Sequence, residues 1–158
     1  MATKSVETRI KEKKIAEVIN PKLVRAESTI TLRQALDIMQ KNKSGYIVVA
    51  DANKVVGIFT EVDVTRKILA NRVKLDLRIS EFMTKNPSVL SPQDTVGHAM
   101  ELMGDKRFYH IPLVNQENDL CGVLSVRTLI RFMAEFYPTE VFNLPPNSDQ
   151  VMESQEGG

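Results

Sequence analysis

Gly57-Ile58-Phe59-Thr60-Glu61-Val62-Asp63 and Gly122-Val123-Leu124-Ser125-Val126-Arg127-Thr128 are one phrase written twice in a chain of 158 residues. Each opens on a glycine and two apolar residues, as the end of a buried strand does, then passes through a hydroxyl residue into what reads as the first turn of a helix. Outward from this phrase, a slide of 64 residues places Ile15 on Ile79, Thr31 on Thr95, Ala35 on Ala99, Met39 on Met103 and Ile47 on Ile111. One inserted residue in the second copy's turn then brings Gly57 onto Gly122 and Arg66 onto Arg131. Unmatched pairs keep their character, Leu32 with Val96 and Leu36 with Met100 among them, so the middle of the chain is a tandem repeat.

Each copy reads the same way. Leu32, Ala35, Leu36 and Met39 stand on one helical face, with Thr31 and Gln34 as a capping box at its start. Tyr46 to Ala50 and Val55 to Phe59 flank Asp51-Ala52-Asn53-Lys54 as a β-hairpin, repeated by His110 to Val114 and Leu120 to Leu124. A second helix follows, Glu61 to about Asn71 and Val126 to about Phe136, the latter stopped by Pro138. A short extended piece precedes each first helix, near Leu23 to Arg25 and Ser88 to Leu90. The expected fold class is therefore α/β (α+β), two β-α-β-β-α repeats packed as a pseudo-twofold pair, since a unit of about 55 residues is marginal alone. The expected bounds are a lead-in helix at 1–14, repeats at 15–72 and 73–136, and a C-terminal arm with a flexible acidic tail at 137–158.

Composition narrows the function. A net charge of +1 argues against a dedicated nucleic-acid binder, and the basic residues of the first fourteen are too few to form a binding domain. Cys121 is the single cysteine, so no intrachain disulfide is available, and with His98 and His110 it cannot build a zinc cluster. No apolar run approaches a membrane span and no signal peptide is visible, so a cytoplasmic location is expected. Cys121, between Leu120 and Gly122, reads as a buried thiol, and Met39, Met83, Met100, Met103 and Met133 read as packing. Neither a Gly-x-Ser-x-Gly elbow, a Walker loop nor His-Glu-x-x-His occurs, so no catalytic or metal residues are assigned and the chain does not read as an enzyme.

A repeated β-α-β-β-α unit carrying Gly-apolar-x-Thr/Ser-x-x-Asp resembles the cystathionine β-synthase (CBS) domain. Two in tandem resemble the CBS pair, or Bateman module, over roughly residues 15 to 134. The resemblance implies a stand-alone regulatory module of bacterial type that senses an adenosine-containing ligand (AMP, ADP, ATP or S-adenosylmethionine) in the cleft between its copies. No obligatory cofactor is implied, although magnesium can accompany a polyphosphate. A homodimer joined through its helices is implied too, with a protein target that the sequence does not name. The competing reading keeps the fold and drops the ligand: a scaffold or trans-acting regulatory subunit that works through its surface.

In that family the motif's hydroxyl and Asp hold the phosphate and ribose, which here points to Thr60 and Asp63. The physics agrees, because free backbone N–H groups gather where a strand gives way to a helix. Thr-x-x-Asp is equally the pattern of an ordinary helix cap, and both roles can hold together. The second copy offers Ser125 but has Thr128 where the family has Asp or Asn, so one good and one altered site are expected, with Arg127 either compensating or standing exposed on its helix. His110 and Pro112 match a family position that points into the cleft, His110 being otherwise a partly exposed strand histidine. Tyr46 and Ile47 occupy the corresponding place in the first copy, to contact adenine or to pack.

Overall fold

The capping box foreseen at Thr31 forms: its Oγ1 accepts from Gln34 N at 3.2 Å, and Gln34 Oε1 accepts from Thr31 N at 2.9 Å. In this computed structural model, which describes residues 3–136, that box starts the helix Leu32–Asn42, and Thr95 starts its counterpart Val96–Lys106 by accepting from His98 N. Both helices end on a basic residue in the left-handed region, Lys43 at φ 47° and Arg107 at φ 56°. In chain order the elements are α1 (Val6–Glu12), β1 (Arg25–Ala26), α2 (Leu32–Asn42), β2 (Tyr46–Asp51), β3 (Lys54–Thr60), α3 (Glu61–Asp63), β4 (Thr84–Lys85), α4 (Val96–Lys106), β5 (His110–Val114), β6 (Leu120–Ser125) and α5 (Val126–Phe136). The arm and tail expected at 137–158 lie outside the described residues.

Where the sequence reads one helix from Glu61 to Asn71, α3 passes after one turn into a π-helical stretch, Val64–Leu69. Ala70 N donates to Thr65 O and Val73 N to Ile68 O, five residues back. The Thr65 hydroxyl donates to Glu61 O at 2.9 Å and so competes for a carbonyl of the first turn.

The first sheet has the order β1-β2-β3-β4, with β1 parallel to β2 and the other pairs antiparallel. Its hairpin turns through Ala52 and Asn53, both at positive φ, which suits the right-handed twist of the strands. The second sheet is the pair β5-β6, to which Leu90 adds a parallel bridge at Leu113 where β1 would stand. The strand registers slip at the same place in both hairpins, between Val49 and Ala50 and between Leu113 and Val114. Structure thus repeats sequence down to the bulge.

Alternation along the strands divides the apolar residues among three cores. Ile47, Val49 and Phe59 face Leu32, Ala35 and Met39, while Ile111, Leu113 and Leu124 face Val96, Ala99 and Met103. Val48 and Ala50 turn the other way and meet Leu120 and Val123 between the sheets. The two hairpin tips are clasped there: Leu120 N donates to Asn53 O, and Lys54 Nζ reaches Asp119 Oδ1 and Glu117 O, each at 2.6 Å. Cys121 is exposed, contrary to the expectation of a buried thiol. Between inward-facing Leu120 and the buried Gly122 it turns outward, and its thiol donates to Leu113 O.

The lead-in segments are exchanged between the halves. Ile15, fully buried, packs in the second core and bonds through its N–H to Asp94 O; Ile79, equally buried, packs in the first and bonds to Ile30 O. Lys14 bridges Thr95 and Arg78 bridges Thr31. Each half is therefore completed by chain that precedes the other in sequence. No helix among the described residues is long and apolar enough to cross a membrane.

Candidate functional site

The two motif copies lie at related ends of the strands, and the first is closed upon itself. Asp63 Oδ2 accepts from Thr60 N at 2.9 Å and from Thr60 Oγ1 at 3.3 Å, and its Oδ1 pairs with Lys67 Nζ at 2.8 Å. Lys67 Nζ also donates to Phe82 O at 2.7 Å. Asp63 is only 7% exposed, the single charged residue in the buried set among those described. On its flank the leader strand β4 pairs with β3, and the side chain of Met83 lies over Gly57 where a Cβ has no room. Here the carboxylate acts as the cap of α3.

The second copy is open. Ser125 Oγ accepts from Thr128 N at 3.0 Å and lies 2.9 Å from Thr128 Oγ1, so a pair of hydroxyls caps α5 where the first copy has a carboxylate. A cavity of about 120 Å³ lies beside it, lined by Asn20, Lys22, Tyr46, Val123, Ser125, Arg127, Thr128 and Arg131. It exists because the leader peels away from β6. In the first half Asn86 N donates to Val56 O and continues the ladder, whereas the matching Lys22 N donates to the side chain of Asn20 at 3.0 Å. This turn on Asn20-Pro21 leaves the edge of β6 without a strand partner among the described residues.

Tyr46 forms the wall contributed by the first half. Its hydroxyl accepts from Val24 N at 3.3 Å and donates to Lys22 O, and burial raises its pKa above the ordinary phenol value. Behind it stands His110, with ring centroids 4.8 Å apart and planes at 34°, where the two halves meet. Burial lowers the His110 pKa below its ordinary value, and the nearby Glu61 carboxylate opposes that shift. Ile47 and Pro112 are fully buried, and neither lines the cavity.

Of the residues singled out from sequence, the structure gathers Tyr46, Ser125, Arg127 and Thr128 at one cavity, with His110 one ring behind. Thr60 and Asp63 sit in the closed copy. Sequence reasoning missed Asn20, Lys22 and Arg131. The signal was available, because the slide of 64 that pairs Thr31 with Thr95 also pairs Asn20 with Thr84 and Lys22 with Asn86, and those leader positions differ in character.

Two further hollows flank the helices. One, of about 230 Å³, is an apolar groove on α1, α4 and α5 lined by Ile10, Met100, Met103, Leu129, Ile130 and Met133 among others. Met100 and Ile130 are exposed there, at 36% and 57%. Its counterpart in the first half, wider and shallower, is lined by Gln40, Lys43, Ser44, Glu61 and Thr65 beside Leu36, Met39 and Val64.

Comparison with known proteins accords with this architecture. The CBS domain family model matches twice, over residues 15–70 and 79–135. The chain is 29% identical over 125 residues to a 17.7 kDa protein of Acidianus ambivalens, spanning 78% of this chain and 75% of that one. It is 28% identical to the inosine-5′-monophosphate dehydrogenase of Aquifex aeolicus, over 78% of this chain but only 24% of the enzyme. Among solved structures, a CBS domain protein from Pyrobaculum aerophilum complexed with AMP superposes with a TM-score of 0.69 at 27% identity, covering 73% of this chain and 89% of that one. With a twice-repeated family match, exchanged leaders and two sheets packed back to back, the chain belongs to the CBS domain family and carries two copies of the domain as a pair.

Proposed function

We propose that the chain is a regulatory module whose second-half cavity takes an adenosine-containing ligand. The observation that carries this reading is the cavity itself: Tyr46 comes from the first half, Ser125, Arg127, Thr128 and Arg131 from the second, and Asn20 and Lys22 from the leader. The AMP held by the Pyrobaculum aerophilum protein supports the ligand class. A ligand that touches both halves stabilises whichever mutual orientation lets it do so, and the population shifts accordingly. A second copy of the chain, seated on the apolar groove of α4 and α5, would receive that shift. The polar character of the matching groove in the first half supports pairing through the second half.

A thermal-shift panel of AMP, ADP, ATP and adenosine tests the reading. Ligand at a hundred times its dissociation constant adds about 2.7 kcal/mol. For a chain of this size that moves the melting temperature by about 5–10 °C. A flat panel, on protein shown by mass spectrometry to carry no retained ligand, would favour the scaffold reading instead.

A further inference from the structure

The second-half cavity is charged with one sign. Lys22, Arg127 and Arg131 stand in its wall beside the neutral Asn20, Ser125 and Thr128, and no carboxylate among the described residues lines it. Lys22 Nζ donates to Asn42 O at 2.6 Å, a neutral partner. Neither guanidinium has a hydrogen-bond or ion-pair partner among the described residues, and both residues are exposed. The matching positions of the first half hold Asn86, Val62, Asp63 and Arg66, one cation against one anion. The cationic wall therefore belongs to this half alone and does not follow from the repeat.

We infer that this cavity selects ligands bearing phosphate and turns away ligands bearing positive charge. The inference rests on the adenosine reading above and narrows it: AMP, ADP and ATP bind, and S-adenosylmethionine, with its sulfonium and ammonium groups, does not compete. Guanidinium groups hold phosphate through paired N–H donors; the one carboxylate of S-adenosylmethionine can take the same fork, but it arrives beside an ammonium and a sulfonium and leaves the ligand net positive where AMP is net negative. Three like charges around one opening also repel a cation at ranges up to the Debye length, about 8 Å at physiological salt. No carboxylate among the described residues stands in the wall to offset that repulsion.

Calorimetry on the full chain decides the matter, with AMP, ATP, adenosine, S-adenosylmethionine and pyrophosphate as probes, on the parent and on the double variant Arg127→Gln, Arg131→Gln. The expected order is ATP tightest, then AMP, then adenosine, with S-adenosylmethionine at least tenfold weaker than AMP. The double variant is expected to lose at least tenfold for AMP while adenosine stays within about twofold, and the AMP affinity of the parent falls as salt is raised. S-adenosylmethionine binding as tightly as AMP, or equal losses for AMP and adenosine in the variant, would overturn the charge selection and leave the adenosine reading standing. Pyrophosphate binding with no response to any adenosine compound would overturn the adenosine reading and keep the anion site. No heat with any probe would remove both.

Discussion

Asp63 is the residue whose setting most changes what the motif means. Its two oxygens are committed to Thr60 and Lys67 within the fold, so Asp63→Ala is expected to act on stability: about 1–2 kcal/mol lost through the cap and its hydrogen bonds, the half-exposed Lys67 keeping the ion-pair share small. Denaturant melts should show that loss while AMP affinity by calorimetry stays at the parental value; a tenfold loss of affinity would place ligand at Asp63 after all. His110 gives the molecule a pH response of definite sign. Its folded pKa lies below the ordinary value near 6.5 because burial disfavours the imidazolium. The unfolded chain therefore binds more protons in the window just below 6.5, and stability rises with pH through that window and levels off above it. Urea melts between pH 5 and 8 should show this rise, and His110→Gln should flatten it; an unchanged slope in the variant would assign the pH dependence to other groups.

At the scale of the element, one leader explains why one half opens. Asn20 captures the N–H of Lys22 that would otherwise extend the ladder along β6 as Asn86 does along β3. Asn20→Thr, which copies the residue at the matching position of the first half, should release that N–H to the strand edge. Hydrogen exchange at Lys22 is expected to slow and AMP affinity to fall at least fivefold as the cavity narrows, with the melting temperature unchanged or higher. Exchange at Lys22 as fast as in the parent would show that the turn is held by Pro21 rather than by the Asn20 side chain. The element scale is also where the sequence was most legible. Helical spacing at Leu32, Ala35, Leu36 and Met39, the Thr31 cap and the turn at Asp51 are local signals, and the spacing and the cap recur 64 residues on, with a turn one residue longer, which removes the ambiguity that a single short strand carries. The π-helical stretch after Asp63 was not legible, since it turns on a hydroxyl choosing a carbonyl. Nor was the open cavity: the motif made Thr128 look like the weaker position, and the space beside it comes from a side-chain hydrogen bond more than a hundred residues earlier in the chain.

Across the whole molecule, the exchanged leaders tie the halves into one folding unit. A sequence slide identifies equivalent residues but carries no information on which half each leader joins, so the crossing of Ile15 into the second core was invisible until the packing was seen. Ile15→Ala is expected to cost about 2–5 kcal/mol, as truncation of a fully buried aliphatic does. Its effect should appear as faster hydrogen exchange in α4 and β5, not only in the adjoining first repeat; protection lost mainly in β2 and β3 would contradict the exchange. The same tie makes the cavity a joint property of both halves, because its walls are the first half's Tyr46, the crossing leader and the second half's cap. Titration of the isotopically labelled chain with AMP, followed by two-dimensional amide NMR, tests that claim most directly. Shifts are expected to concentrate at Asn20 to Lys22, Tyr46 and Ser125 to Arg131, with Thr60 to Lys67 left in place. Shifts centred on Thr60 to Lys67, or none at millimolar AMP, would contradict it.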